Sequence, residues 1–359
     1  MKNRFEELDG LRGVAAFIVF LSHAIGLLTV TKFVYLYKNS PAQIISDGAA
    51  AVDIFFVLSG FVLSLPFIDK NKDLNYIQFV TKRIFRLYPT YWACIILTTL
   101  LKDYYNPTAM QSLSDWAKHL WTSAITEEEI IRHMPLITKM DSHIINPVVW
   151  TLAVEMKMSL ILPIFIFWLK KWNSPLSQAL LFISSVTLSF LSEKFTFLPL
   201  FVIGLVLSKH WRKFQIIEQI NFSKTCILFI LSILLIDNRF IFGSDYSSHI
   251  QSLIASFGAA LFIPLAIWAG RINKFLKHPS IDFLGKISYS FYLYHLPILL
   301  FTVSLLYPTY ESLLIPVIAS LILTILISFL SYKTTELTSM MLYRKISERF
   351  TVRAVINRE

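Results

Sequence analysis

Residues 8–23 read LDGLRGVAAFIVFLSH, and every side chain between Arg12 and His23 is apolar or small. As an α-helix this stretch rises ~1.5 Å per residue, so His23 lies ~16 Å from Arg12 along the helix axis. The hydrocarbon core of a bilayer is ~30 Å thick. The spacing therefore predicts a membrane helix with Arg12 at one surface and His23 about half way across. An ionisable group at that depth is a candidate functional residue.

The composition is that of an integral membrane protein. Apolar residues make up 55% of the 359 residues and charged residues 16%, and the mean hydropathy is +0.60. The formal net charge of +10 could indicate nucleic-acid binding, but in a chain with many membrane helices Lys and Arg mark the cytoplasmic side. We therefore predict an all-α, polytopic membrane bundle and no nucleic-acid partner.

Ten hydrophobic segments predict about ten transmembrane helices. They are residues 12–30, 49–68, 87–102, 148–169, 176–192, 195–208, 222–237, 250–270, 286–307 and 312–333. If both termini are cytoplasmic, the inner segments hold 24 Lys and Arg residues and the outer segments hold 8. This asymmetry predicts that both termini lie in the cytoplasm.

The spans divide the chain into a transmembrane domain, residues 1–336, and a basic cytoplasmic tail, residues 337–359. The longest connection, residues 103–147, is predicted to lie outside. A loop of that length is often a lid or a binding loop. Its aromatic residues, among them Trp116 and Trp121, either lie at the membrane interface or stack on sugar rings, and the interface is the more common place for them.

A second cluster of candidate residues is Arg83 and Arg86, on the second cytoplasmic segment. Residues three apart share a helix face, and paired guanidiniums can grip a phosphate. Together with Arg12 they could hold the phosphates of a nucleotide-type anion such as coenzyme A. The alternative is anchoring by basic residues at the lipid headgroups, which needs no ligand.

Two carboxylates are predicted to lie within the outer halves of membrane helices. Asp53 could bind a sugar hydroxyl, orient His23 or simply reach interfacial water. Glu155 follows Trp150 by five residues and, being two residues from Lys157, faces another side of the helix. Glu155 could orient His23 for general-base catalysis or form a structural ion pair.

The segment 285–297 places His295 near the middle of the ninth predicted span, close to Tyr292 and other hydroxyl groups. His295 could contact a substrate or could be a hydrogen-bonded packing residue. Glu336 ends the tenth span and is predicted to pair with a cytoplasmic Arg. Cys94 and Cys226 fall near the cytoplasmic ends of their predicted helices, which predicts no disulfide. Two cysteines without a neighbouring histidine cluster predict no metal site.

Together these segments resemble the acyltransferase-3 family of membrane acyltransferases. The matching pieces, which lie in family order across residues 5–336, are the Arg12–His23 spacing and residues 52–61, 83–86, 150–155 and 288–295. The sequence departs from the family at Thr151, where many relatives have Ser, and at Met156-Lys157. These departures bear on the identity of the acyl acceptor and not on binding of the acyl donor.

The resemblance implies a ten-helix bundle that takes an acyl group, usually acetyl, from cytoplasmic acyl-coenzyme A. The group passes to a hydroxyl of a glycan or of another acceptor. By position, His23 would be the catalytic imidazole, and Arg12, Arg83 and Arg86 would bind acetyl-coenzyme A.

Our sequence-based hypothesis is therefore an O-acyltransferase of the bacterial inner membrane that acts on a cell-surface carbohydrate or its lipid-linked precursor. His23 either acts as a general base or forms an acyl-histidine, and Glu155 assists it. Predicted acceptor-binding residues are Asp53, Trp150, Tyr292 and His295. The sequence predicts no metal and leaves a homodimer open. The alternative class is an exporter with a histidine proton relay, for which we find no repeated halves.

Overall fold

The chain folds almost entirely into α-helices in this computed structural model, which describes residues 5–70, 72–105, 113–138, 140–242 and 248–356. The helices are α1 (Glu6–Gly26), α2 (Lys32–Lys38), α3 (Gly48–Ile68), α4 (Tyr76–Lys102), α5 (Asp115–Lys118), α6 (Glu127–His133), α7 (Ser142–Ile145), α8 (Val149–Lys171), α9 (Pro175–Leu191), α10 (Leu198–His210), α11 (Phe222–Ile236), α12 (Asn238–Phe242), α13 (Ser248–Trp268), α14 (Gly270–Leu276), α15 (Pro279–Tyr310), α16 (Leu314–Ser331) and α17 (Leu337–Ile356). These residues include no β-strand, which confirms the predicted all-α class.

Every segment predicted to span the membrane forms a helix, but the helices differ in length. Seven helices of the described residues are long and apolar enough to cross a bilayer, and the last of them runs from Leu314 to Glu348. The helices α9 and α11 are apolar but shorter, and α10 has 13 residues. The count of ten spans and the cytoplasmic position of both termini therefore stay predictions.

The chain divides into two compact units. The first unit comprises Met1–Leu74 and Leu160–Ser288, and the second comprises Asn75–Ser159 and Tyr289–Glu359. The boundaries fall within α8 and α15, so each of these helices contributes to both units. The two units are described separately below.

In the first unit, α3 and α10 approach each other backbone to backbone. A Cβ atom added at Gly60 would lie 2.2 Å from the carbonyl oxygen of Phe201. One added at Gly204 would lie 2.1 Å from the carbonyl oxygen of Val57. Small residues at helix crossings in membranes permit this close packing, and here it fixes the part of α3 that follows Asp53.

In the second unit, hydroxyl groups join α4 to the end of the chain. The Thr90 and Thr335 hydroxyl oxygens are 2.7 Å apart, and the Tyr289 hydroxyl donates to the carbonyl oxygen of Leu87 over 2.6 Å. Between α16 and α17 the residues Tyr332–Glu336 form one turn of π-helix. Such turns are frequent at functional sites, and this one carries Glu336 into the interior of the unit.

The predicted outer loop is ordered by hydrogen bonds to carbonyl oxygens, although residues 106–112 and 139 lie outside the described part. The Tyr91 hydroxyl of α4 donates to His133 over 2.8 Å, and the Trp92 indole donates to Met134 over 3.1 Å. Trp121 is 3% exposed and donates to Ile145 over 2.8 Å. Trp121 is thus a core residue of the loop, with almost none of its ring open to stack on a sugar, and its position relative to the membrane interface stays a prediction.

Candidate functional site

Arg12 and His23 lie on one continuous helix, as the sequence predicted. However, α1 begins at Glu6 and ends at Gly26, whereas the hydrophobic run predicted a helix over 12–30. His23 therefore lies in the last turn of α1 and not near its middle. The Arg12 guanidinium is 3.4 Å from the Asp9 carboxylate one turn earlier. The depth of His23 in the membrane stays a prediction.

In the second unit, Arg83 of α4 forms an ion pair with Glu155 of α8. Arg83 Nε also donates to the Ser159 hydroxyl over 3.2 Å, and that hydroxyl donates to the Glu155 carbonyl oxygen over 2.7 Å. This geometry is the structural ion pair that the sequence left open for Glu155. Whether Glu155 also assists His23 stays a prediction.

Arg86, one helical turn further along α4, pairs with Glu336. The Glu336 side chain is 0% exposed and also accepts a hydrogen bond from the Ser290 hydroxyl over 2.5 Å. The Arg86 guanidinium lies over the Tyr289 ring, 5.4 Å from its centroid, in a cation–π contact. The predicted pairing of Glu336 with an arginine is confirmed.

Two guanidiniums and two carboxylates thus form adjacent pairs within the second unit. Their formal charges cancel, so the electrostatic attraction that these arginines exert on a distant phosphate is reduced. A guanidinium nevertheless has five N–H donors, and one carboxylate does not use them all. The pairs therefore hold the two arginines in fixed positions and leave donors for an anion.

The predicted acceptor-binding residues of the second unit have structural contacts. Thr151 donates to the Tyr292 hydroxyl oxygen over 2.9 Å. His295 is fully buried, and its Nδ1 is 2.7 Å from the Tyr292 carbonyl oxygen. These contacts agree with the packing interpretation of His295. Trp150 is 40% exposed, and its indole could contact a ligand or lipid.

Asp53 of the first unit forms an ion pair that the sequence analysis missed. Arg239, in α12, places one terminal nitrogen 2.9 Å from Asp53 Oδ2 and 3.2 Å from the Ser252 hydroxyl. Its other terminal nitrogen is 3.8 Å from Asp47 Oδ2. One signal could have indicated the pair, because Arg239 is the only Lys or Arg between residues 225 and 270.

Asp237 and Asn238 lie beside this ion pair. Asp237 follows the last residue of α11 and is buried. Asn238 donates from its amide to the carbonyl oxygens of Leu235 and Gln251, each over 2.9 Å. These residues add polar groups to the same end of the first unit.

Within the described ranges, no group of three or more His, Cys, Asp or Glu side chains could hold a metal ion. The polar groups are instead organised as guanidinium–carboxylate pairs with hydroxyl neighbours. Ionisable residues that lie within a bilayer are costly and commonly functional, and the depth of these pairs in the membrane stays a prediction.

These observations define the class of protein, which is a helical membrane protein with ion pairs between its helices. The chain belongs to the acyltransferase-3 family, whose sequence profile, described as an acyltransferase domain, matches residues 5–333.

Two staphylococcal proteins illustrate the similarity. The O-acetyltransferase OatA of Staphylococcus aureus strain NCTC 8325 is 28% identical over 377 residues, which cover 92% of this chain and 56% of that protein. A putative O-acetyltransferase of strain COL is 26% identical over 378 residues with the same coverage. This chain thus spans about half the length of these relatives. No solved structure gave a significant match.

Proposed function

We propose that this protein is a membrane O-acyltransferase that moves an acyl group, most simply acetyl, from cytoplasmic acyl-coenzyme A to a hydroxyl of a cell-surface carbohydrate or its lipid-linked precursor. The family match over residues 5–333 carries this proposal. The relatives named as O-acetyltransferases support acetyl as the group and oxygen as the acceptor atom. Their bacterial source and the apolar helices support the cytoplasmic membrane as the location.

The proposed reaction is a direct transfer in which His23 is the general base. The acceptor hydroxyl oxygen attacks the thioester carbonyl carbon while the imidazole takes the hydroxyl proton. The new carbon–oxygen bond forms, the carbon–sulfur bond breaks, and the imidazolium returns the proton to the thiolate of coenzyme A. Placement of His23 on the same helix as Arg12 supports this assignment, because a rigid helix fixes the distance between the two side chains at ~16 Å.

We assign binding of the acyl-coenzyme A phosphates to Arg12, Arg83 and Arg86. Their ion pairs with Asp9, Glu155 and Glu336 fix each guanidinium before the donor binds, which reduces the entropy lost on binding phosphate. Bidentate contacts to phosphate oxygens suit the remaining N–H donors. On this proposal Glu155 is a positioning residue for Arg83.

The test is acetyl transfer by the purified protein in lipid nanodiscs, with radiolabelled acetyl-coenzyme A and extracted cell-envelope glycans. We expect the rate of acetyl transfer to fall at least ~100-fold in the His23→Ala variant, because a general base usually contributes a factor of this size. His278→Ala is the control, since His278 is exposed and has no assigned role. Full activity of His23→Ala would exclude both the base and the acyl-histidine mechanism.

A further inference from the structure

The guanidinium of Arg239 connects two successive turns of α3 to α12. The Arg239 side chain is 15% exposed, and those of Asp47 and Asp53 are 4% and 2% exposed. One terminal nitrogen lies 2.9 Å from Asp53 Oδ2, and the other lies 3.8 Å from Asp47 Oδ2. Asp47 is the N-cap of α3, and Asp53 lies in its second turn. A single buried guanidinium therefore restrains the start of α3.

The charges of this group are balanced by more than the guanidinium. Two carboxylates face one guanidinium, which leaves one formal negative charge. Asp47 Oδ1 accepts a hydrogen bond from the amide of Ala50 over 2.9 Å, and the N-terminus of a helix has a partial positive charge that stabilises a carboxylate. Arg239 also donates to the Ser252 hydroxyl over 3.2 Å. The group thus forms a buried connection between α3, α12 and α13.

The first turn of α3 packs against the last turn of α1. A Cβ atom added at Gly48 would lie 2.8 Å from the hydroxyl oxygen of Ser22 and 2.9 Å from its Cβ atom. Neither distance leaves room for a methyl group. Ser22 immediately precedes His23, and α1 ends three residues later at Gly26. The start of α3 therefore determines where the last turn of α1 lies within the first unit.

The place of His23 in α1 makes its position depend on this contact. The last four carbonyl groups of a helix have no partner within the helix, so the last turn is restrained less by its own hydrogen bonds than the middle is. A general base must lie ~3 Å from the group whose proton it removes. A displacement of ~1 Å can lower the rate ~100-fold. The packing of α3 on this turn is therefore a requirement for base catalysis by His23.

We infer that Arg239 is a positioning residue for His23. Its guanidinium holds Asp47 and Asp53 and so fixes the start of α3, against which the last turn of α1 packs at Gly48. This inference rests on the proposed function, in which His23 is the general base. It assigns to Arg239 an effect on the rate of acyl transfer and no effect on binding of acyl-coenzyme A.

Steady-state kinetics in nanodiscs separates positioning from binding. We expect Arg239→Gln to lower kcat for acetyl transfer at least ~10-fold and to change KM for acetyl-coenzyme A less than ~2-fold. Arg239→Lys keeps the charge but not the planar fork of donors, so its kcat should lie between the two. Arg212→Gln is the control, because it removes an ion pair with Asp69 elsewhere in the first unit, and its kcat should be unchanged. An unchanged kcat in Arg239→Gln would overturn the inference.

A size exchange tests the contact of α3 with α1 while all charged residues are retained, and it serves if Arg239→Gln does not fold. Gly48→Ala should lower kcat ~10-fold, because the added methyl group overlaps Ser22. Ser22→Gly removes the overlapping atoms, so the double variant should regain most of the kcat of Ser22→Gly alone. An unaltered kcat in Gly48→Ala, or a double variant no faster than Gly48→Ala, would contradict the contact through which Arg239 acts.

Chemical labelling reports the position of His23 without acyl transfer. Diethyl pyrocarbonate modifies accessible imidazoles, and mass spectrometry identifies the residue. We expect modification of the half-buried His23 to be at least ~5-fold faster in Arg239→Gln, because the last turn of α1 opens more often. The exposed His278 should react equally in both proteins, and the fully buried His295 should stay unmodified if the fold is intact. An equal rate at His23 would exclude the positioning role, whether or not the protein transfers acetyl groups.

Discussion

At the scale of single residues, Glu336 places a buried carboxylate in the interior of the second unit. Its carboxylate is fully buried and accepts from Arg86 and Ser290. A buried charge destabilises the folded state unless it is paired and hydrogen-bonded. Removing one partner of a buried ion pair therefore lowers stability more than replacing both partners by apolar residues. The pair therefore constrains which substitutions this part of the chain tolerates.

We expect Arg86→Gln to destabilise the protein by roughly 3 kcal/mol, because it leaves the Glu336 charge buried without its cation. Glu336→Gln should cost less, since Arg86 is 37% exposed and can reach water. The double variant should recover part of the loss of Arg86→Gln. Melting temperatures in detergent would check this order, and additive effects would show that the pair has no net coupling.

At the scale of elements, the contact of α3 with α10 depends on two residues without side chains. Gly60 and Gly204 face the carbonyl oxygens of Phe201 and Val57 at distances that leave no room for a methyl group. The same helix α3 begins at the Asp47 cap and carries Asp53. Close packing in the middle of α3 therefore restricts the position of the acidic residues at its start.

Gly204→Ala should destabilise the protein by about 1–3 kcal/mol through overpacking, although alanine is the better helix former. Gly270→Ala is the matched control, because a Cβ atom at Gly270 meets nothing within 4 Å. Melting temperatures would compare the two variants. If Gly204→Ala melts at or above the temperature of Gly270→Ala, the close approach of α3 and α10 is not a constraint.

At the scale of the whole molecule, the distribution of basic residues predicts the orientation in the membrane. The segments assigned to the cytoplasm hold 24 of the 33 Lys and Arg residues, and short loops with this bias remain inside. The proposed reaction depends on that orientation, because it would take the acyl group from acyl-coenzyme A in the cytoplasm and pass it to a carbohydrate at the outer surface.

A green fluorescent protein fused after Glu359 should therefore fluoresce, whereas alkaline phosphatase at the same position should be inactive. Alkaline phosphatase inserted after Glu127, in α6, should be active, because this loop is predicted to lie outside. An active alkaline phosphatase after Glu359 would contradict the cytoplasmic C-terminus.

The sequence by itself determined the helical class, the positions of the ten apolar segments and the membership of Arg12 and His23 in one helix. These follow from hydropathy and spacing, which are local properties of the chain. Only the tertiary structure decided that Glu155 pairs with Arg83, that Arg239 pairs with Asp53 and that Trp121 is buried. The physical reason is that ion pairs between residues 72 or 186 positions apart depend on which helix faces meet, and periodicity along a single helix contains no information about its neighbour.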